Sequence, residues 1–388
     1  MMKILEIIAT ADPTSGGPIE GLLRQIEATP GIERDIVTLD TENVSIGNIR
    51  VISTGQRYPR FKLFSPIIHY GYSPQFTSWL RRNAKQYDAI VVNGLWNFSS
   101  FGAATVLPAL GVPYFVFTHG MLDPWFRKAY PLKHAAKILF WLAGDGRLLA
   151  GARAVLFTTE EERVLARGQF PIWKYKEEVV GYGTARPPEA SRAQSLALLQ
   201  AIPSLRGRPY ILFMSRIHRK KGCDLLIEAF AQVYKYHPDM QLVVAGPDQE
   251  GLVDALKVRS RALGVEEQIH WPGMLSGDSK WGALRSAEAF ILPSHQENFG
   301  IVIAEALSCA LPVLTTKKVN TWREVSENGA GFVENDDLEG VMRLLTLWAG
   351  AEEATKEAMR NAAVETFSKY FDVSEIGPQI ISRVRALL

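Results

Sequence analysis

The chain has 388 residues, of which 47% are hydrophobic and 22% are charged, and its formal net charge at pH 7 is +2. This length is enough for two domains with separate cores, and the balanced charge does not indicate a nucleic-acid-binding protein. The two cysteines, Cys223 and Cys309, are far apart and form no CxxC pair, so neither a disulfide framework nor a zinc site is indicated.

The first half of the chain alternates short apolar runs with helical patterns. We predict helices over Pro18–Ala28, Pro74–Lys85 and Lys133–Leu149. The predicted strands lie in KILEIIAT, RDIVTLD, IRVIST, YDAIVVN, PYFVFTH and RAVLFTT. Because the first run carries Glu6 and follows no basic segment, we expect a strand there and not a signal peptide. Buried strands separated by helices predict parallel βαβ units.

The glycine- and proline-rich stretch VVGYGTARPP, from Val179 to Pro188, predicts a linker. The alternation then restarts, and three helices close the chain from about Leu338. The second set of predicted strands lies in YILFMSR, MQLVVAG, QIHW, AEAFILPS, LPVLTT and AGFVE. We therefore predict an α/β protein with two doubly wound domains in tandem. No apolar run reaches the roughly 18 residues of a membrane-spanning helix, which favours a cytoplasmic protein.

Ligands of doubly wound sheets bind at the carboxyl ends of strands, so residues that follow strands are the candidates. Gly16 and Gly17 follow the first strand, where helix amides suit an anionic or hydroxyl-rich ligand; a turn that simply needs glycine is the alternative. His119 follows the fifth strand and either orients a substrate hydroxyl or hydrogen-bonds within a turn. Arg216 and Lys221 follow YILFM and suit a diphosphate, unless the loop is only a solvated basic segment.

Two carboxylates stand in HQENFGIVIAE, where Gly300 opens a helix. Glu297 and Glu305 lie about 12 Å apart at helical rise, which is too far for one metal ion or for a glycosidase acid and nucleophile. The spacing suits a ligand with hydroxyls at both ends; two surface acids, one of them favoured by the helix N-terminus, are the alternative. Together these stretches predict a ligand site between the two domains.

The pattern Arg-x4-Lys-Gly followed by Glu-x-Phe-Gly-x4-Glu resembles the retaining glycosyltransferases of family 4. It is matched by Arg216, Lys221, Gly222, Glu297, Phe299, Gly300 and Glu305. The resemblance extends from about Tyr210 to Glu334, and the segment THGMLDPWFRKAYPLKHAAK is similar to the branch that serves bacterial surface polysaccharides.

The family implies a GT-B fold, in which two Rossmann-like doubly wound domains face each other across a cleft. The implied domains are residues 1–185 on the acceptor side and 186–371 on the donor side, and a helix over about 372–388 is expected to pack back on the first.

The resemblance also implies the roles of the site residues. Arg216 and Lys221 hold the donor diphosphate, Glu297 binds hydroxyls of the transferred sugar, and Glu305 binds the ribose hydroxyls. The implied catalytic residues are Arg216, Lys221 and Glu297, and the implied donor-binding residues are Gly16, Gly17, His119, Met274, Leu275, Asn298, Phe299, Gly300, Ile301, Val302 and Glu305. Gly17 approaches the diphosphate, His119 contacts the sugar, and Met274 and Leu275 pack on the base.

The implied reaction moves a hexose-type sugar from a nucleotide-diphosphate sugar to a glycan or lipid-linked acceptor, and it retains the anomeric configuration without metal or other cofactor. Ser215 and Ala310 replace glycines that are usual in the family, and KKVNTWREV replaces a common Gly-Gly loop, which leaves the donor sugar open. An epimerase of the same fold remains an alternative. A dehydrogenase is less favoured, because no predicted strand is followed by the GxGxxG motif of that class. A non-enzymatic sugar-binding protein is also less favoured, because it would usually carry a secretory signal.

A strong charge asymmetry underlies the near-neutral total. Residues 51–137 contain ten Lys and Arg but only two Asp, a surplus of eight positive charges. The aromatic residues interleaved with these charges are Phe61, Phe64, Tyr70, Tyr72, Trp79, Trp125 and Phe126. This pattern predicts an anionic membrane surface as a partner, with a solvated basic face or a phosphorylated soluble acceptor as alternatives.

Overall fold

The computed structural model describes residues 1–12, 16–42, 44–57, 70–125, 127 and 130–388. The chain divides into two compact units, Met1–Gly183 with Val373–Leu388 and Thr184–Asp372. The family resemblance implies domain boundaries after residues 185 and 371.

The N-terminal unit contains a parallel sheet of seven strands in the order β3-β2-β1-β4-β5-β6-β7. Its strands are β1 Lys3–Ile8, β2 Glu33–Thr38, β3 Arg50–Ser53, β4 Ala89–Asn93, β5 Tyr114–Phe117, β6 Ala154–Phe157 and β7 Glu177–Val179. Its α-helices in the described residues are α1 Gly17–Ala28, α2 Pro74–Asn83, α3 Phe98–Leu110, α4 Pro131–Phe140, α5 Gly146–Gly151 and α6 Glu160–Ala166, and the unit also includes α15 Val373–Ala386.

The predicted strands of this half all form, and one further strand is present. β7 has only three residues, two of them glutamates, so no apolar run marked it in the sequence. The predicted helix Lys133–Leu149 is continuous from α4 to α5, but its middle, Trp141–Asp145, is π-helical. The closing helix α15 packs on α1, where Gly377 lies against Ala28 and Thr29.

The C-terminal unit contains a parallel sheet of six strands in the order β10-β9-β8-β11-β12-β13. Its strands are β8 Tyr210–Met214, β9 Gln241–Ala245, β10 Ile269–Gly273, β11 Ala289–Leu292, β12 Val313–Thr316 and β13 Gly331–Glu334. Its α-helices are α7 Arg192–Ala201, α8 Cys223–Tyr234, α9 Val253–Ala262, α10 Gly277–Ser286, α11 Ile301–Ser308, α12 Trp322–Glu327, α13 Leu338–Gly350 and α14 Glu353–Tyr370.

Each sheet has a point where the strand order reverses, and most of the candidate residues follow the strands at that point. In the N-terminal unit the reversal lies between β1 and β4, and in the C-terminal unit between β8 and β11. The central strands are buried on both faces because helices cover the sheets, so their apolar runs are nearly continuous. Polar side chains can reach solvent at the carboxyl ends, where such folds bind ligands.

Candidate active site

The loops that follow β8 and β11 meet in the C-terminal unit because these strands are neighbours. The backbone N–H of His295 donates to the carbonyl of Lys220 at 2.7 Å. The buried ammonium of Lys221 forms an ion pair with the carboxylate of Glu297. The two halves of the sequence pattern are thereby joined by direct contacts.

Gly222 explains why a glycine follows this lysine. Its φ is +65°, in the left-handed region, and a Cβ there would lie 2.2 Å from the carbonyl oxygen of Pro293. Residues Arg219–Lys221 form a single 3₁₀ turn that ends at this glycine, and α8 begins directly after it. The tight approach of the two loops therefore requires the glycine, and it brings Lys221 to Glu297.

Arg216 lies in the same loop but is exposed. Its guanidinium donates to the side-chain carbonyl of Gln249 at 3.1 Å. Lys221 is therefore a buried cation held by a carboxylate, whereas Arg216 is an exposed cation on a neutral partner. Both belong to the edge of the sheet at which β8 ends.

Gly300 is the N-cap residue of α11 and has φ +69°. A Cβ at this position would lie 3.3 Å from Cγ of Glu297, so the glycine keeps the helix start close to that carboxylate. Ile301 and Val302 form the first turn, whose amides have no partner within the helix. A helix start with free amides attracts negative charge.

Glu305 lies on α11 and is buried. Its carboxylate accepts from the ammonium of Lys280 on α10 at 2.7 Å, and that ammonium also lies 4.8 Å from the ring centroid of Trp281. The two carboxylates therefore have separate lysine partners. No sequence signal marked Lys280, because it lies inside a helix and not after a strand.

The remaining predicted residues of this unit differ in exposure. Met274 is exposed and Leu275 is buried in the loop after β10, just before α10. Phe299 is buried against Phe371, with ring centroids 5.4 Å apart, so its side chain belongs to the core. Asn298 accepts from the side chain of Asn320 at 3.2 Å.

The unusual loop KKVNTWREV contacts the candidate site through its backbone. The N–H of Glu297 donates to the carbonyl of Lys318, and the N–H of Asn320 donates to the carbonyl of Glu297, both at 3.0 Å. The loop thus positions the backbone of Glu297 and the side chain of Asn298.

In the N-terminal unit, Gly16 and Gly17 begin α1 next to a small cavity. Gly16 has φ +114°, which L side chains rarely adopt. The cavity has a volume of about 110 Å³. Its lining residues are Ile8, Ala9, Thr10, Gly16, Pro18, Ile19, Asn93, Gly94, Asn97 and Met121, which follow or flank β1, β4 and β5.

Tyr182 connects the Gly-Gly turn to His119 within this unit. Its hydroxyl donates to the carbonyl of Gly17 at 2.8 Å, and its ring meets the His119 ring edge-on at 5.8 Å. Gly21 makes room for it, because a Cβ there would overlap the tyrosine hydroxyl. The sequence analysis missed Tyr182 because it stands in the stretch interpreted as a linker.

His119 has a left-handed backbone, with φ +48°, and its ring stacks on Phe117 at 4.6 Å. Burial lowers the pKa of His119 to about 4, so the imidazole is neutral at physiological pH. Its Nε2 lies 3.1 Å from the side-chain oxygen of Asn93, the last residue of β4. The rule used for His119 also applies to Asn93, which the sequence analysis overlooked.

The turn that carries His119 is braced by the buried carboxylate of Glu162. That carboxylate accepts from the hydroxyl of Thr118 at 2.7 Å and from the N–H of Gly120 at 2.5 Å. Its other oxygen accepts from the backbone and the hydroxyl of Thr158. Non-glycine residues in the left-handed region persist only where surrounding contacts hold them, as they do here.

Within the described part of the chain, no group of three or more His, Cys, Asp or Glu could hold a metal ion. The described helices also include none that is long and apolar enough to cross a membrane.

Two family models match the chain. The model for glycosyl transferases group 1 matches residues 198–363, and the glycosyl transferase 4-like domain matches residues 20–183. The chain belongs to the family 4 glycosyltransferases. A solved structure of HepE from Anabaena in complex with UDP and glucose superposes with a TM-score of 0.73 over 100% of both chains, at 18% identity. The α/β fold of two Rossmann-like units is therefore GT-B, as predicted.

Curated relatives of this glycosyltransferase match only part of the chain. The D-inositol 3-phosphate glycosyltransferase of Frankia alni is 29% identical over 50% of the chain and 49% of the relative. The phosphatidyl-myo-inositol mannosyltransferase of Mycobacterium leprae is 29% identical over 40% of the chain and 41% of the relative. The matched region thus spans half or less of the length of these relatives.

Proposed function

We propose that the protein is a retaining glycosyltransferase that moves a hexose-type sugar from a nucleotide-diphosphate sugar to a glycan or lipid-linked acceptor, in bacterial surface polysaccharide or glycolipid synthesis. The observation that carries the proposal is the part-buried Lys221–Glu297 ion pair beside the free amides of α11. The lysine and the helix N-terminus can bind phosphate, and the carboxylate can accept hydrogen bonds from sugar hydroxyls. The HepE complex with UDP and glucose supports this class of donor.

In the proposed reaction, Lys221 and Arg216 neutralise charge that develops on the leaving diphosphate. Preorganised charges of this kind act most strongly in the transition state and so lower the barrier. Glu297 holds hydroxyls of the sugar, while Glu305 holds the ribose. The leaving diphosphate takes the proton of the acceptor hydroxyl on the same face, which retains the anomeric configuration.

No side chain of the site is needed as a general base. An effective general base has a pKa near the working pH, whereas the pKa of His119 is lowered to about 4. His119 is therefore assigned a binding role toward the donor sugar. Catalysis then depends on positioning and on charge stabilisation of the leaving group.

The test is incubation of the purified chain with labelled UDP-, GDP- and ADP-hexoses, first alone and then with lipid-linked and soluble glycan acceptors. We expect one nucleotide to raise the melting temperature and its sugar to be transferred with retained configuration. Epimerised donor without transfer would favour the epimerase, and tight binding without any turnover would favour a sugar-binding protein.

The proposed reaction is independent of divalent metal. Its support is the separate lysine partners of Glu297 and Glu305, each of which already neutralises one carboxylate. We expect full activity in EDTA. Activity that EDTA abolishes and Mn²⁺ restores would contradict this part of the proposal.

The proposed acceptor side faces an anionic membrane, at the cytoplasmic surface. Helix α4 supports this, because none of its residues is buried and Leu132 and Leu139 are 87% and 69% exposed. No Asp or Glu occurs between Asp123 and Asp145, whereas Lys133 and Lys137 lie on α4. A helix with exposed leucines and lysines suits the interface of a negatively charged bilayer. The name of the mannosyltransferase relative, which contains phosphatidyl-myo-inositol, is consistent with a lipid acceptor.

The prediction that the interleaved aromatic residues belong to this membrane surface requires a correction. Tyr70 and Trp79 are partly buried and pack against the hydrophobic core of the N-terminal unit. Tyr72 is 44% exposed and Trp125 is half-buried. Phe61, Phe64 and Phe126, together with Arg60, Lys62 and Lys128, lie outside the described residues. The proposed membrane surface is therefore centred on α4.

A further inference from the structure

A row of polar side chains crosses the buried sheet of the N-terminal unit and ends at His119. Its members are Glu6 on β1, Arg34 on β2 and Asn93 at the end of β4, and all three are buried. The guanidinium of Arg34 donates to one carboxylate oxygen of Glu6 at 2.9 Å. The side-chain N–H of Asn93 donates to the other oxygen, also at 2.9 Å. Asn93 in turn meets Nε2 of His119 at 3.1 Å.

The charge of Glu6 fixes the direction of every hydrogen bond in this row. Burial raises the pKa of Glu6 above its usual value, although Arg34 and Asn93 act in the opposite direction. A guanidinium does not lose its proton in proteins, so a neutral Glu6 would leave the buried charge of Arg34 without a counter-ion. Glu6 is therefore ionised, and a carboxylate can only accept.

An acceptor at Glu6 determines how the Asn93 amide is oriented. Its NH₂ group must face Glu6, and its carbonyl oxygen must then face His119. A carbonyl oxygen requires a donor, so the proton of the neutral imidazole is on Nε2. The other nitrogen, Nδ1, then carries a lone pair and can only accept.

The surroundings of the ring leave Nδ1 available for a ligand. Phe117 stacks on the imidazole face at 4.6 Å and 9°, and Tyr182 packs edge-on, so the ring plane is fixed. Among the described residues, His119 has no hydrogen bond other than the one to Asn93. The residue as a whole is neither fully buried nor fully exposed.

We infer that Glu6, Arg34 and Asn93 are positioning residues that hold His119 as the Nε2–H tautomer, so that Nδ1 accepts a hydrogen bond from a hydroxyl of the donor sugar. The sugar as partner of His119 rests on the proposed function, whereas the tautomer follows from the geometry alone. A donor analogue with an acceptor-only group at this position would be rejected, because two acceptors would face each other.

The tautomer is measured directly by NMR on the full chain labelled with ¹⁵N-histidine, with the His119 signals identified by their loss in His119→Gln. We expect protonated Nε2 and unprotonated Nδ1 at neutral pH. In Asn93→Ala, and in the isosteric Glu6→Gln, both tautomers should be populated, because the acceptor is lost or the Asn93 amide is free to turn. Tyr182→Phe is the matched control, since it alters a neighbour of the ring but leaves the row intact, and it should keep the wild-type tautomer.

Protonated Nδ1 in the wild-type protein would overturn the inference, as would an unchanged single tautomer in Asn93→Ala. The wild-type spectrum decides the assignment even if both variants fail to fold. If no nucleotide-sugar is bound or turned over, the proposed function fails, and the tautomer result still stands or falls by itself.

The role toward the sugar is tested with the identified donor and its deoxyfluoro analogues, in which fluorine replaces one hydroxyl and cannot donate. Asn93→Ala should reduce kcat/KM roughly three- to tenfold with the natural donor, as expected for one lost hydrogen bond. The loss should vanish with the analogue fluorinated at the position that faces His119, and affinity for the nucleoside diphosphate alone should not change. An equal loss with every analogue and with the nucleotide alone would indicate a merely structural role and overturn the assignment.

Discussion

Lys221 and Lys280 occupy equivalent electrostatic positions in the C-terminal unit. Each lies against a carboxylate of the sequence pattern, Glu297 in the first case and Glu305 in the second. In a partly buried site, such a pair leaves an uncompensated charge when one member is removed. The two lysines therefore affect both the ligand and the acid that binds it, and each can be tested by one substitution.

Lys221→Ala should lower kcat by more than tenfold, because its ammonium stabilises charge that develops on the leaving diphosphate. The measurement is steady-state kinetics with the identified donor, on protein whose folding is checked by circular dichroism. Arg219→Gln is the matched control, since Arg219 belongs to the same basic loop but is exposed. Wild-type kinetics in a folded Lys221→Ala protein would contradict the assignment, as would an equal loss in the control.

Lys280→Met should weaken binding of the donor nucleotide roughly tenfold, because Lys280 holds the carboxylate that is assigned to the ribose hydroxyls. Isothermal titration with the nucleoside diphosphate and with its 2′,3′-dideoxy analogue separates this effect from general destabilisation. The variant and the wild type should bind the dideoxy analogue equally well. A tenfold difference that persists with the analogue would mean that Lys280 acts elsewhere, for example on the phosphates.

At the scale of elements, the helix that runs from α4 to α5 is interrupted by the π-helical segment Trp141–Asp145. Asp145 is buried there, accepts from the backbone N–H of Trp96 at 3.3 Å and is hydrogen-bonded by Ser100. Burial raises its pKa from 3.8 to about 6. Segments of this kind occur mostly as single turns within α-helices, frequently at functional sites.

Asp145 makes the stability of the fold depend on pH. Below its unfolded pKa of 3.8 the carboxyl is protonated in both states, and as pH rises toward about 6 the unfolded state loses the proton first. The folded state is therefore destabilised across this window, by about 3 kcal/mol at most, since one pKa unit corresponds to about 1.4 kcal/mol.

Asp145→Asn should remove this dependence, because the amide is neutral and still accepts from Trp96. Denaturant unfolding should show a variant that is about as stable as the wild type at pH 4 and more stable by about 2 kcal/mol at pH 8. The exposed Asp239→Asn serves as the control and should show no such trend. A stability difference that is the same at both pH values would contradict the expected cause.

At the scale of the whole molecule, a net charge of +2 conceals a strongly basic segment in the N-terminal unit. The structure adds that the neighbouring apolar side chains on α4 are exposed, including Leu139. Charge alone would be compatible with a soluble anionic acceptor. Charge together with exposed leucines on one helix favours a lipid surface.

The chain should co-sediment with vesicles that contain phosphatidylglycerol, more strongly at higher anionic fraction and less strongly at higher salt. Leu139→Asn should weaken this binding several-fold, because it removes a side chain expected to enter the bilayer interface. Val258→Asn, which changes a similarly exposed apolar residue of the C-terminal unit, should have no effect. Absence of binding at low salt, with full activity on a water-soluble acceptor, would favour the solvated basic face.

The sequence alone determined the two doubly wound units and the position of most elements. The strands predicted in both halves are present, because hydrophobic periodicity and turn residues are local features of the sequence. It also marked Lys221, Gly222, Glu297 and Gly300 as candidate site residues, since they lie in loops that follow predicted strands. The contacts of these residues in the structure agree with that grouping.

Only the tertiary structure revealed the partners of these residues. Lys280 reaches Glu305 from another helix, Tyr182 reaches Gly17 across 165 positions of sequence, and Asn93 is oriented by a carboxylate on β1. Tyr70 and Trp79 likewise turned out to pack on the core, although their composition matched a membrane surface. Side-chain partners depend on which strands and helices become neighbours, and spacing along the chain does not encode that neighbourhood.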